Sequence, residues 1–232
     1  MLGHIQSAPV ASGYLYVSKG LTVSKLFVTL SSLFVLHLSE TYIREHTRHV
    51  LEFTIILLLA VLLLLILVSA NNLMLLFFSL AGFSLNLYIL ILYDAADAAS
   101  REASLKYFYL STLSSGFILF GILLIYVMIG DVTYYAIRTY VNLGVDEDTA
   151  AVLSAAVLFI LIGFFFKLSA FPGHLWTAEV YEGSPLPVLA FFILPVKVAV
   201  FISFMRLLNT GLLDFSHIWL PAVTIAALGS LL

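Results

Sequence analysis

The chain has 232 residues, 62% of them hydrophobic and 10% charged, with a mean hydropathy of +1.13. An average soluble domain is about a quarter charged, so polar surface is too scarce here to cover a water-facing globule. A soluble enzyme, a nucleic-acid binder and a disordered chain are excluded together, leaving an integral membrane protein with lipid around it. Ten Lys and Arg against 13 Asp and Glu give a net charge of −3 with no basic block, and no nucleic acid is expected as a partner. Cys is absent, which removes disulfides, thiolate metal sites and iron–sulfur ligation.

A spanning helix needs about 20 largely apolar residues. Seven runs meet or approach that length: Leu21–Leu38, Val50–Ala70, Leu73–Tyr93, Leu105–Ile129, Ala150–Val180, Pro187–Leu208 and Ile218–Leu232. They are too long, and too unbroken in Leu, Ile and Phe, to be barrel strands of about ten alternating residues. The first run is read as a retained helix, because no charged region and small-residue cleavage site precede it. Asn71-Asn72 is a tight hinge between the second and third runs. Asp94–Arg101 is polar, with Ser100 expected as a helix N-cap and Glu102 in the first turn. Gly130-Asp131 closes the fourth run, Asp131–Asp148 is the longest loop, and Gly183-Ser184-Pro185 feeds the helix begun by Pro187. The last run stops at Leu232, so it either barely spans or belongs to a larger assembly. Basic residues divide evenly between the two sides, and orientation stays open.

The G-x-G-x-x-G, P-loop, H-E-x-x-H and G-x-S-x-G motifs are all missing. Glu45, His46, His49 and Glu52 form the nearest approach to a metal cluster, and an ordinary charged interfacial loop is the favoured reading of them. Ionisable groups inside apolar runs say more. Lys167 lies in LFILIGFFFKLSAF and Lys197 in AFFILPVKVAVF. Inserting a Lys at the centre of a helix costs about 2.5–3.5 kcal/mol, so such residues are rare and usually functional. Burial disfavours a charged ammonium, and that is what lets a buried amine load and release a proton. Snorkelling, or a structural hydrogen bond to freed carbonyls, is the competing explanation. Two lysines, each beside a helix breaker, favour function. Pro172 and Gly173 should interrupt the fifth run just after Lys167, and Pro195 the sixth run two residues before Lys197. A broken helix at membrane depth is tolerated in protein or beside a hydrated cavity, and its ends make ion sites. His174 follows the first break and is either a proton relay or a satisfied structural residue. Lys106 is either an interfacial anchor or a further relay. Ser111, Ser114, Ser115, Gly116 and Gly121 read as small residues for close helix packing.

FFFKLSAFPGHLWTAEVYEGSP at 164–185 resembles the F-K-L-S-x-x-P-F-H-x-W-x-P-D-V-Y-x-G-A-P stretch of the subunit 2 family of proton-pumping NADH:ubiquinone oxidoreductase, respiratory complex I. EASLKYFYLSTLSSGFILFGILLIY at 102–126 is similar to the same family's E-A-S-x-K-Y segment, and the likeness runs collinearly from about Asn71 to Leu208. The wider family includes the other antiporter-like subunits and the multisubunit cation/proton antiporters. The resemblance implies an all-α, polytopic transmembrane bundle: about seven helices here, one of them discontinuous, forming the first of two inverted repeats. It implies that Lys167 is the family's buried Lys on the broken helix, Lys197 the connecting Lys on the next helix, and His174 the His after the break. It also implies that NADH, FMN, iron–sulfur clusters and ubiquinone bind on other subunits, with no cofactor in this chain.

Three departures stand out. The family Glu of the third run, which pairs with the buried Lys, falls on Ala81. Pro172-Gly173-His174 and Thr177-Ala178-Glu179 differ from P-F-H and W-x-P-D. The second broken helix is missing. The expected organisation is an N-terminal extension over 1–20, a membrane domain over 21–208, and an incomplete start of a second repeat over 209–232. The remainder is expected on a second polypeptide of a split subunit, or else the sequence is a truncated piece of a longer chain. Other membrane-arm subunits are the further partners expected. A Phe- and Tyr-rich chain without a clear presequence points to the mitochondrial inner membrane, with the bacterial plasma membrane as alternative. The function expected is proton translocation coupled to NADH:ubiquinone electron transfer. The rivals are an antiporter-complex subunit and a scaffold that has lost pumping.

Overall fold

The computed structural model describes residues 8–10, 13–46, 50–93 and 97–231. Each long hydropathic run becomes a helix, because a backbone in oil must satisfy its own N–H and C=O groups. In chain order these are α1 (Lys19–His46), α2 (Val50–Ser69), α3 (Leu73–Ile91), α4 (Ala98–Ile129) and α6 (Glu147–Leu168), with the short α5 (Tyr134–Asn142) between the last two. Then come α7 (Leu175–Glu182), a composite helix made of α8 (Leu186–Phe191) and α9 (Lys197–Arg206), and α10 (Ser216–Leu231). Six helical stretches among the described residues are long and apolar enough to cross a membrane; the seventh expected run, α10, has 16 residues. Large apolar side chains face outward, as on α1, where Val23, Leu26, Phe27, Leu30, Leu33 and Phe34 are all exposed. In lipid that outward face costs nothing, and van der Waals packing of the inner face holds the bundle.

The caps explain the boundaries. Asn72 makes the 71–72 hinge work: its Oδ1 accepts from the backbone N–H groups of Met74 (2.8 Å) and Leu75 (3.3 Å), so α3 starts at once after α2. Asp97, not Ser100, caps α4, its carboxylate accepting from the N–H groups of Ala99 and Ser100. The acid wins because its charge also meets the helix dipole. Ser100 is left to donate to the Gly183 carbonyl at 3.0 Å. Gly130 ends α4 in the left-handed region at φ 79°, as its position after the apolar run predicts.

Two elements went unread in the sequence. Part of the N-terminal extension is an antiparallel hairpin of β1 (Ala8–Val10) and β2 (Leu15–Val17), and Asn71 ties it to the α2–α3 hinge by donating to the carbonyls of Tyr14 and Gly13. The expected loop 131–148 contains α5, capped by Thr133 and anchored by the buried Tyr134 and Ile137. The hairpin, the hinge and α5 share one face of the bundle, joined by the Leu73 N–H donating to the Val132 carbonyl. Of the Glu45, His46, His49 and Glu52 group, His49 and the side chains of Glu45 and His46 lie outside the described residues. No cluster that could hold a metal occurs among those described.

Helices α4 and α6 approach closely at two glycines. A Cβ on Gly121 would sit 2.6 Å from the Ala156 carbonyl oxygen, and one on Gly163 would sit 2.4 Å from Ile118 Cγ1 and 2.7 Å from the Ser114 oxygen. Ser114 seals the contact by donating to the Gly163 carbonyl at 2.9 Å. The packing role read for Ser114 and Gly121 therefore holds. Gly116 plays no such part, since a Cβ there would meet nothing within 4 Å.

Candidate functional site

The fifth run breaks where Pro172 and Gly173 predict. Helix α6 stops at Leu168, Ser169 turns into the left-handed region at φ 58°, and the chain runs irregularly to α7. The Ala170 N–H closes the end by donating to the Phe165 carbonyl at 2.9 Å. Gly173 folds back onto that last turn so tightly that a Cβ would lie 2.9 Å from the Phe166 Cα. The glycine is therefore a steric requirement of the break.

Lys167 projects from the last turn of α6 into the bundle and is 9% exposed. Its ammonium donates to Ser84 Oγ on α3 and Ser111 Oγ on α4, both at 2.7 Å, with the Ser111 carbonyl at 3.4 Å. The Phe83 ring lies 5.9 Å away, and the buried phenol of Tyr107 stands beside the same two hydroxyls. No carboxylate pairs with Lys167 among the described residues. Ala81 lies one turn before Ser84 on α3 and opens, with Ser84, Ser111 and Gly116, onto a cleft of about 330 Å3 between α3 and α4.

Lys197 holds the other side of the break. Its ammonium donates to the Leu168 carbonyl at 3.0 Å and to Ser169 Oγ at 2.5 Å. It thus satisfies a carbonyl that the helix end orphans and sits at the negative end of the α6 dipole. Lys167 and Lys197 both line one internal cavity of about 20 Å3, with Ser111, Tyr107 and Trp176 around it. A cavity needs roughly 10–15 Å3 to hold a water, so this one fits a single molecule. Trp176 Nε1 is buried with no acceptor, which suits a polar occupant.

Pro195 departs from the expectation of a second break. The chain passes through it as a π-helical turn, Phe192–Val196, and continues into α9. The Lys197 N–H reaches back five residues to the Phe192 carbonyl, so the ladder skips the N–H that proline lacks. His174 does not join the lysines. It is exposed at the start of α7, its ring stacked on Phe171 with centroids 5.9 Å apart. Lys106 is also elsewhere, half-exposed and ion-paired to Glu102 at 2.6 Å and to Glu179 on α7. That pair ties α4 to the outer half of the broken helix. Ser84 is the residue that sequence reasoning missed, and Ser111, read as a packing residue, also accepts from Lys167. A hydroxyl one helical turn from Ala81, facing the place a counter-charge would occupy, was the available signal.

A buried amine on a helix that ends inside the bundle, beside a second amine and a water-sized cavity, marks a polytopic membrane protein that keeps ionisable groups in its interior. Residues 70–232 match the family described as NADH:quinone oxidoreductase/Mrp antiporter, transmembrane, and the chain belongs to it. It is 35% identical to NADH-quinone oxidoreductase subunit N of Parvibaculum lavamentivorans over 94% of its own length and 45% of that protein's. It is 31% identical to subunit N of Rhodospirillum rubrum, over 100% of this chain and 47% of the relative. Among solved structures, respiratory complex I from Thermus thermophilus contains a chain with 31% identity and a TM-score of 0.70, covering 85% of this chain and 42% of that one. The Mrp complex of a Dietzia species gives a TM-score of 0.69 at 20% identity, a likeness of fold over 83% of this chain and 35% of that one. The chain thus spans about half the length of the curated relatives it matches.

Proposed function

We propose that this chain is a proton-translocating part of the membrane arm of an NADH:quinone oxidoreductase, with Lys167 as proton carrier and Lys197 as its neighbour along the path. The observation that carries this reading is the cavity shared by the two amines, which a single water would bridge. Proton transfer along such a bridge needs only short hydrogen bonds and an amine without a fixed negative partner. The relatives named subunit N support the complex, and the other membrane-arm subunits are the proposed partners. Redox cofactors belong on those partners, and this chain contributes no redox group of its own. Its home is an energy-coupling membrane: the plasma membrane in bacteria such as those of the relatives, or the mitochondrial inner membrane.

The test is Lys167→Ala, with protons pumped per NADH oxidised measured in sealed vesicles and assembly checked on native gels. Loss of pumping with intact assembly is the expected result. Unchanged stoichiometry would overturn the pump and favour a scaffold, the reading that the missing carboxylate at Ala81 supports. Failure to co-purify with NADH-oxidising subunits would instead favour a cation/proton antiporter complex.

A further inference from the structure

On the face that carries the β-hairpin, a cleft of about 610 Å3 opens between the α2–α3 hinge, α5 and the end of α9. Two cations line it, Arg138 from α5 and Arg206 from α9, and no carboxylate is among its described lining residues. Arg206 is fixed in place. Its guanidinium donates to the carbonyls of Ala70 (2.6 Å) and Val68 (3.4 Å) and to Asn71 Oδ1 (2.9 Å), and it lies between the rings of Tyr16 and Tyr134, 5.1 and 5.8 Å away. Those three bonds leave two of a guanidinium's five N–H groups without an acceptor among the described residues. Arg138 is exposed and has neither an ion pair nor a hydrogen-bond partner among them. The two threonine hydroxyls of the lining are already spent, Thr210 donating to the Arg206 carbonyl and Thr133 to Asp131. The formal charge among the cleft's described lining residues is therefore entirely cationic and entirely guanidinium.

Depth selects the ligand. Arg206 lies in the last turns of a spanning stretch, and Asn71 in the hinge between two others, which places the cleft at the boundary of hydrocarbon and water. The anion found at that depth is a lipid phosphate, which a guanidinium meets with two parallel N–H bonds. Tyr16, Tyr134 and Tyr135 supply the amphipathic rings favoured at headgroup level. We propose that this cleft binds the phosphate of an anionic phospholipid headgroup, with Arg206 as its fixed floor and the exposed Arg138 as its second guanidinium.

The experiment uses the full chain purified in mild detergent and depleted of lipid, then given phosphatidylglycerol or phosphatidylcholine and read by native mass spectrometry. Arg138→Gln is the test variant, because Arg206 also holds the fold. Wild-type protein should retain phosphatidylglycerol in preference to phosphatidylcholine, and Arg138→Gln should cut that preference by about fivefold, one basic residue's worth of surface attraction. Equal retention by the wild type, or an undiminished preference in Arg138→Gln, would overturn the assignment. Displacement of the lipid by millimolar inorganic phosphate would also overturn it, by making free phosphate the ligand. None of these readouts depends on pumping.

Discussion

Gly163→Ala adds one methyl group at the contact between α4 and α6. That methyl would lie 2.4 Å from Ile118 Cγ1 and 2.7 Å from the Ser114 carbonyl oxygen. Ile118 can turn aside, but the carbonyl belongs to the α4 backbone, so relief needs the helices to part. Overpacking of this kind costs about 1–3 kcal/mol. The same movement stretches the 2.9 Å bond from Ser114 to the Gly163 carbonyl and carries Ser111, one turn away, off the Lys167 ammonium. Gly116→Ala is the matched control, since nothing lies within 4 Å of its added methyl. A helix-interior Ala is more favourable than Gly by about 0.5–1 kcal/mol, so the control should hold or gain stability. Thermal unfolding of both variants in detergent, with proton pumping measured in parallel, reads the difference. If Gly163→Ala melts and pumps like Gly116→Ala, the close approach and its link to the lysine are both refuted.

Replacing Asn72 with Ala should cost about 1 kcal/mol through the lost N-cap, seen as faster hydrogen exchange at the Met74 and Leu75 amides; unchanged exchange there would deny the cap. Lys197→Met leaves the Leu168 carbonyl without its donor at a cost of about 1–3 kcal/mol, and exchange at Ser169 and Ala170 should rise while α4 amides stay protected. Asp146 caps α6 from outside the membrane, and the hydroxyl and N–H of Thr149 hold its carboxyl below the usual carboxylate range. Its folded value is the lower one, so its stabilising effect is present above the ordinary Asp value of about 4 and fades as pH falls through the lowered value. Asp146→Asn should differ from wild type in melting temperature at pH 7 and converge with it in acid; a pH-independent gap would sink the argument.

Most of the bundle was legible because hydropathy reports on length, and length is what a bilayer demands. The break was legible because Pro172 and Gly173 act through local sterics on their own helix. Pro195 was not, since whether a helix breaks or widens at proline depends on the packing that holds both halves in line. Asp97 outcompeted Ser100 for the cap by one extra charge. The surroundings of Lys167 were hidden for a different reason. Ser84 and Ser111 sit in apolar helices where small polar residues ordinarily serve packing, and only tertiary structure brings them to the amine. His174, which the sequence left open between a relay and a structural residue, faces outward, because the irregular turn before α7 sets its direction.

Two serine hydroxyls, rather than a carboxylate, meet the Lys167 ammonium, and this sets what the site can tolerate. An ionised carboxylate offers lone pairs alone and so rewards only the protonated amine. A hydroxyl rotates: it accepts a hydrogen bond from NH3+ in one state and donates one to the NH2 lone pair in the other. The pocket can therefore house both forms of Lys167 with every heavy atom in place, and the choice between them passes to whatever field the rest of the membrane imposes.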